Sequence, residues 1–247
     1  MKQYKLTLNE NFNWLKEFLL DIKDKFQSSQ NSLHKARNEI KLISQNGTEV
    51  VVKSFKIPNI FNKILYFFGK KTKAQKSYEH ALRIENFTPK PIGYIEFYEH
   101  KLLYESFFVS ENFAYDFTIR EVLLDDEFLN KDSILKQFVA FTYALHEQEI
   151  LHLDYSPGNI LIKQSGNRYE FKIVDINRMK FKKLKLKDRL KNFSMLWATN
   201  EDMKSIAVEY AKLSNADESR CIDMAMKYSH RLKARKNLKK RLKGQKC

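Results

Sequence analysis

"HLDYSPGNILI" (His152–Ile162) puts a histidine, an aspartate, a Pro-Gly turn and an asparagine into one short loop, then runs into an apolar strand. A carboxylate and an amide close together in a loop contribute little to folding, so their presence points to chemistry. The preceding stretch, Asp132–Ile150, reads as a helix with Asp132 as its cap and Ile134, Leu135, Phe138, Phe141 and Leu145 on its buried face. The following stretch reads as two short strands, "NILIK" and "YEFKIVDI", separated by the turn residues of "QSGNR". The second of these runs carries Asp175 near its end. Two acids, Asp154 and Asp175, and one amide, Asn159, therefore stand where strands end in loops.

Phosphoryl transfer requires such a set. One carboxylate orients the acceptor hydroxyl and accepts its proton, and an oxygen pair holds Mg²⁺ on the phosphates. Asn159 and Asp175 can supply that pair, and Pro157-Gly158 makes the sharp turn that directs Asn159 back toward the acids. Upstream, "VVVK" ends a strand at Lys53, a point charge suited to α- and β-phosphates. A buried strand lysine needs a counterion, and Glu79 in "SYEHALRI" offers one on the next helix. The order strand-Lys, helix-Glu, HxDxxxxN, strand-Asp matches the protein-kinase-like fold.

The first half of the chain reads differently from the second. Residues 1 to about 56 read as strands and hairpins, with a turn at Asn46-Gly47 inside "RNEIKLISQNGTEVVVKSFK". Thr72–Ile84 has helical character, and "TPKPIGYIEFYEHKLLYESFFVSENF" reads as two strands joined by a charged turn. The expected architecture is α+β and bilobal, with a small β-rich N-lobe over residues 1–111 and a mainly helical C-lobe over residues 112–247. The stretch "SLHKARNEI" stands where a nucleotide-covering loop belongs but contains no glycine, so closure would use the backbone amides of Lys35 to Asn38 together with Arg37.

At 247 residues, with 43% hydrophobic and 13% aromatic content, the chain can bury a full core. Its two cysteines, Cys221 and Cys247, form neither a disulfide framework nor a CxxC metal pattern, which suits a reducing compartment. No stretch reads as a signal peptide or a membrane span. The net charge of +15 predicts an anionic partner: nucleic acid, a phosphorylated substrate or an anionic membrane. No aromatic-basic RNA-binding signature accompanies it, which counts against nucleic acid.

On "RNEIK", "VVVKSF", "KSYEHAL", "HLDYSPGNILI" and "VDINRM", the sequence resembles the bacterial lipopolysaccharide kinases of the Kdo and heptose kinase group, over roughly Ser32 to Leu196. The resemblance implies an ATP- and Mg²⁺-dependent kinase that phosphorylates a sugar hydroxyl of an inner-core glycolipid. By it, Asp154 is the catalytic base, Asn159 and Asp175 are metal ligands, and Lys53 with Glu79 anchors phosphate. The "FFVSENF" segment becomes the hinge, with backbone groups of Glu111 and Phe113 meeting adenine. The implied location is cytoplasmic, peripheral on the inner face of the cytoplasmic membrane. Departures from protein kinases are plain: Leu153 replaces the HRD arginine, Ser156 stands where Ser/Thr kinases carry a lysine, and Asp175-Ile176-Asn177 replaces DFG. Those departures favour a non-protein acceptor over an atypical protein kinase. The basic C-terminal half favours an anionic acceptor over a cationic small molecule. A pseudokinase or nucleic-acid-binding scaffold is the alternative of a different class, and the complete set of acids, amide and lysine argues against it.

Three further stretches bear on partners. "RMKFKKLKLKDRLK" follows Asp175 and would border the acceptor site, drawing an anionic acceptor. "HRLKARKNLKKRLKGQK" carries nine Lys or Arg from Arg231 onward and no acid, matching an anionic membrane surface at about 1 kcal/mol per near-surface cation. "IPNIFNKILYFFGKKTK" mixes Ile60, Phe61, Ile64, Leu65, Phe67 and Phe68 with lysines, as an interfacial helix does, or as a connection packed on the small lobe would.

Overall fold

The computed structural model describes residues 3–35 and 38–242. The chain divides into two compact units, Met1–Phe113 and Ala114–Cys247.

In the N-terminal unit β1 (Gln3–Leu8) is followed by a helical segment: a 3-10 turn at Glu10–Leu15, then α1 (Lys16–Leu20) and α2 (Ile22–Ser28). The sequence reading expects strands here, and the structure corrects it. Leu15, Phe18, Leu19, Ile22 and Phe26 recur at helical spacing and are all buried, so a 3.6-residue period governs this stretch. Next come β2 (Ser32–Lys35), β3 (Glu39–Gln45), β4 (Thr48–Phe55), α3 (Ile60–Phe67), α4 (Lys73–Arg83), β5 (Pro91–Glu99) and β6 (Leu102–Glu111). The six strands form one antiparallel sheet in the order β1-β5-β6-β4-β3-β2.

Asn46 and Gly47 turn β3 into β4 as expected, both with positive φ (51° and 78°), which a tight two-residue hairpin turn requires. One cluster joins Phe12, Leu15, Phe18, Leu19, Ile22 and Phe26 to sheet residues that include Val50 and Val52. A second cluster joins Phe55 of β4 to Ala74 and Tyr78 of α4 and to Tyr94. Side chains alternate along a strand, so Lys53 shares the α4 side of the sheet with Phe55, and Val50 and Val52 take the other.

α4 is anchored at its start by a buried carboxylate. The Thr72 hydroxyl accepts from the Gln75 amide (3.1 Å) as the helix N-cap and donates to Glu96 of β5, which also accepts from Tyr98 (2.6 Å). A negative charge beneath a helix N-terminus suits the helix dipole. Burial and the Glu96 carboxylate together raise the Tyr98 phenol well above its ordinary pKa.

The C-terminal unit begins with β7 (Phe117–Thr118) and α5 (Ile119–Leu124), whose start is closed by a Thr118–Glu121 capping box. Then follow α6 (Lys131–Glu147), β8 (Ile150–His152), β9 (Ile160–Ser165), β10 (Arg168–Ile173), β11 (Met179–Phe181), α7 (Leu186–Phe193), α8 (Asn200–Ser214) and α9 (Glu218–Leu242). β7, β9 and β10 form one small sheet, and β8 pairs with β11. The N-cap of α6 is Asn130 in the left-handed region, not Asp132 as the sequence suggests. Asp132 lies in the first turn, where its charge still favours the helix. Ile134, Leu135, Phe138 and Leu145 are buried as expected, and Phe141 is only partly so.

Phe138 is the aromatic centre of this unit, in contact with Tyr155, Phe171 and Phe193. Beside it runs a buried polar chain. The Asn192 amide donates to the His152 carbonyl (2.9 Å), and its oxygen lies 3.2 Å from His146 Nε2. That oxygen can only accept, so Nε2 carries the proton, and Nδ1 accepts from the Tyr210 hydroxyl (2.9 Å). His146 is neutral. Burial, helped by the nearby Arg189 guanidinium, lowers its pKa to about 4.

Two outcomes are expected. Between pH about 6.5 and about 4, unfolded His146 binds a proton that the folded residue refuses. Stability should therefore fall as pH drops through that window, by about 3 kcal/mol in total. His146→Gln should flatten this part of the melting-temperature profile relative to wild type; an unchanged slope would reject the assignment. Asn192→Ala leaves the His146 N–H and the His152 carbonyl without their shared partner. It should lower the unfolding free energy in urea by about 2–4 kcal/mol.

Candidate active site

The loop from β8 to β9 is built from the bottom upward. Tyr155, directly after Asp154, is completely buried against Phe138 and His152, and its hydroxyl lies 2.7 Å from that of Thr142. Since the Thr142 hydroxyl donates to the Phe138 carbonyl (2.9 Å), Tyr155 is the donor of the pair. Burial pushes the Tyr155 phenol far above its ordinary pKa, so it stays protonated. The residue after the acid thus fastens the loop to α6, and the Asp154 side chain remains about one-third exposed (35%).

His152 braces the same loop from the other side. Its Nδ1 accepts from the Asp154 amide (3.0 Å), so Nε2 carries the proton and donates to the Val174 carbonyl (3.0 Å). This geometry makes His152 a brace of the loop. Pro157 opens a single 3-10 turn ending at Asn159. The Asn159 side-chain nitrogen then donates back to the Asp154 carbonyl (2.9 Å), and the Asn159 carbonyl accepts from the Val174 amide (2.9 Å).

These bonds bring Asp154, Asn159 and the residue before Asp175 into one hydrogen-bonded cluster. Asp175 has φ +56°, a left-handed conformation that aspartate tolerates better than most residues and that is common at functional sites. Its carboxylate accepts from the Asn177 amide. The Asn159 amide nitrogen is already engaged, so its side-chain oxygen is the atom left to act as a ligand. An amide oxygen and a carboxylate are hard donors of the kind Mg²⁺ takes, with phosphate and water oxygens completing its shell. No group of three or more His, Cys, Asp or Glu placed to hold a metal occurs among the described residues, and a two-ligand Mg²⁺ site needs none.

Arg178 is the contact that the sequence did not indicate. Its Nη1 lies 3.3 Å from Asp154 Oδ2, with the arginine 61% exposed. Pairing of β8 with β11 sets it there, through the hydrogen bond from the Leu153 amide to the Arg178 carbonyl (2.9 Å). Lys180, Lys182, Lys183, Lys185 and Lys187 continue this exposed cationic run, with Lys182 paired to Asp188 at 3.0 Å.

The remaining candidates lie in the N-terminal unit. Lys53 is 8% exposed, and its ammonium stands 5.4 Å from the centre of the Phe55 ring. Glu79 does not take Lys53 as its partner. Its carboxylate accepts from Lys71 (2.6 Å) and Gln75 (3.0 Å). Partial burial acts to raise the Glu79 pKa, but the hydrogen bonds from Lys71 and Gln75 outweigh it and leave it below the usual value. The reason for the exchange is proximity, since Gln75 is one helical turn away and Lys71 directly precedes the helix cap. Glu111 ends β6 with its amide bonded to the Lys90 carbonyl (2.9 Å), and Phe113 lies two residues beyond. Arg37 lies outside the described residues.

Comparison with known proteins gives the family and the fold. The family described as lipopolysaccharide kinase (Kdo/WaaP) matches residues 80–222, more than half of the chain. A search of curated proteins finds no match. Among solved structures, one described as WaaP in complex with acyl carrier protein matches with a TM-score of 0.57 and 13% identity, covering 92% of this chain and 99% of that one. Another, the yeast RNA Pol II CTD kinase CTDK-1 complex, matches with a TM-score of 0.44 and 16% identity, covering 80% of this chain and 68% of that one. The fold is protein-kinase-like, with a β-sheet N-terminal unit and a helical C-terminal unit. With more than half of its length matched, the chain belongs to the lipopolysaccharide kinase (Kdo/WaaP) family and is a phosphotransferase with an alcohol-group acceptor.

Proposed function

We propose that the protein transfers the γ-phosphoryl group of ATP to a sugar hydroxyl of an inner-core lipopolysaccharide glycolipid, on a Kdo or heptose residue. The loop carrying Asp154 and Asn159, braced by buried residues and bonded through the Asn159 carbonyl to the residue before Asp175, carries this reading. Asp154 orients the acceptor hydroxyl and takes its proton as the oxygen attacks. Asn159 and Asp175 are the residues that would hold Mg²⁺, which supplies positive charge against the phosphate oxygens. Lys53 adds a second positive charge for the phosphates, and the backbone of Glu111 and Phe113 receives adenine. Glu79 enters this scheme as a helix residue paired with Lys71, not as the resident counterion of Lys53.

The exposed cations from Arg178 to Lys187 favour an acceptor carrying carboxylate or phosphate groups, as inner-core sugars do. Arg178 rests on Asp154 in this structure, and an acceptor anion would draw it off the base. Among the described residues no helix is long and apolar enough to cross a membrane. The last turns of α9 are exposed and basic, with Arg235, Lys236, Lys239, Lys240 and Arg241. They favour attachment to the anionic inner face of the cytoplasmic membrane, where such an acceptor is reached from the cytoplasm.

Phosphate transfer from labelled ATP to purified core glycolipids ending in Kdo or heptose tests the reading and selects the sugar. Asp154→Asn should lower kcat by about 10²–10⁴ with little change in the KM for ATP. Asp175→Ala should abolish turnover. Full activity in either variant would remove the assignment. Arg178→Ala should raise the KM for the glycolipid by about tenfold or more and leave the KM for ATP unchanged, with partial recovery in Arg178→Lys. Equal effects on both substrates would assign Arg178 to the fold alone.

A further inference from the structure

α3 is amphipathic, but its apolar face points away from the protein. Ile60, Phe61, Ile64, Phe67 and Phe68 follow the i, i+1, i+4, i+7, i+8 spacing that places residues on one side of a helix. All five are exposed, Phe61 at 66% and Phe68 at 79%, and no residue of α3 is buried. The opposite side carries Asn62, Lys63, Leu65 and Tyr66, all partly buried where the helix packs on β6. A helix recruited only to cover the sheet would present these sides the other way round. Both principal clusters of the N-terminal unit are built without it, one by the 10–28 helical segment and the other by α4.

The patch extends to the exposed Ile57 and has cations at its edges. Lys56 and Lys70 are exposed, and Lys63 reaches the Tyr104 ring on β6 at 5.6 Å. No aspartate or glutamate occurs between Glu49 and Glu79. Bulky apolar side chains standing out from a scaffold, flanked by the exposed Lys56 and Lys70 in a stretch with no acid, match the chemistry of an anionic bilayer surface. Acyl chains receive the rings, and headgroup phosphates meet the ammonium groups. Scattered exposed apolar residues are ordinary on a protein surface, whereas five large ones on one side of a helix mark an interaction site.

We propose that α3 inserts its Ile57–Phe68 face into the surface of an anionic membrane and holds the enzyme at the bilayer where its glycolipid acceptor is anchored. This deepens the proposed function, and rests on it for the acceptor; the binding itself does not depend on catalysis.

The test is co-sedimentation of the full chain with vesicles of phosphatidylglycerol and phosphatidylcholine, or of phosphatidylcholine alone. Phosphate transfer to detergent-dispersed glycolipid is measured in parallel. Wild type should partition onto the anionic vesicles and less onto the neutral ones. Phe67→Ser/Phe68→Ser and, independently, Ile60→Ser/Phe61→Ser should each reduce the anionic partition about tenfold or more. Both should keep wild-type melting temperatures and transfer to dispersed acceptor. Equal vesicle binding by wild type and both variants would overturn the proposal, as would no binding by wild type. A concentration-dependent wild-type dimer that the variants abolish, without vesicle binding, would assign the face to a second copy instead. If vesicle binding behaves as expected while no glycolipid is phosphorylated, the acceptor assignment fails and the membrane site stands.

Discussion

Asn192 uses both ends of its amide inside the C-terminal unit, its oxygen toward His146 and its nitrogen toward the His152 carbonyl. His152 passes the constraint on to the Asp154 amide and the Val174 carbonyl, and Tyr155 pins the next residue to α6. A buried polar group left unpaired is costly, so each bond in this set restricts the positions open to the others. The consequence is functional. The general base proposed for Asp154 would have to hold its carboxylate steady with respect to an incoming hydroxyl, and a surface loop becomes rigid only when the layer beneath it is fixed. Asp154 keeps a partly exposed side chain on a backbone held between the buried His152 and Tyr155.

The same division between a fixed layer and an accessible layer recurs in the N-terminal unit. Lys53 is set on the α4 side of the sheet by strand parity, and α4 is set by Thr72 resting on the buried Glu96 carboxylate. Electrostatics then sorts the remaining cations. Much of the positive charge lies on exposed segments, namely the run from Arg178 to Lys187, the end of α9 and the flanks of α3. Charges placed this way cost little desolvation and stay available to an anionic partner.

Several features were legible in the sequence because local rules govern them. Asn46-Gly47 demands a tight turn, the spacing within "HLDYSPGN" demands a turn that returns the amide toward the acid, and the 3.6-residue period marks α6. The N-terminal helical segment was equally periodic, but its β-rich surroundings suggested strands. Burial of Leu15, Phe18 and Ile22 on the sheet decided the matter. The partner of Glu79 could not be read in the same way. A carboxylate on a partly exposed helix face takes whichever cation is nearest, and Lys71 and Gln75 are local. Arg178 went unassigned because its contact with Asp154 depends on the register of β8 with β11.

By itself the sequence determined the chemical inventory and its order: the strand lysine, the loop acid and amide, the second acid and the excess of positive charge. Those follow from residue type, spacing and period, which act over a few neighbours. Only the tertiary structure decided which buried groups hold the loop, which partner Glu79 takes and which side of α3 faces outward. Hydrogen bonds among His146, Asn192, Tyr210 and His152 join positions far apart in the chain, and their energy exists only once water has been excluded from around them.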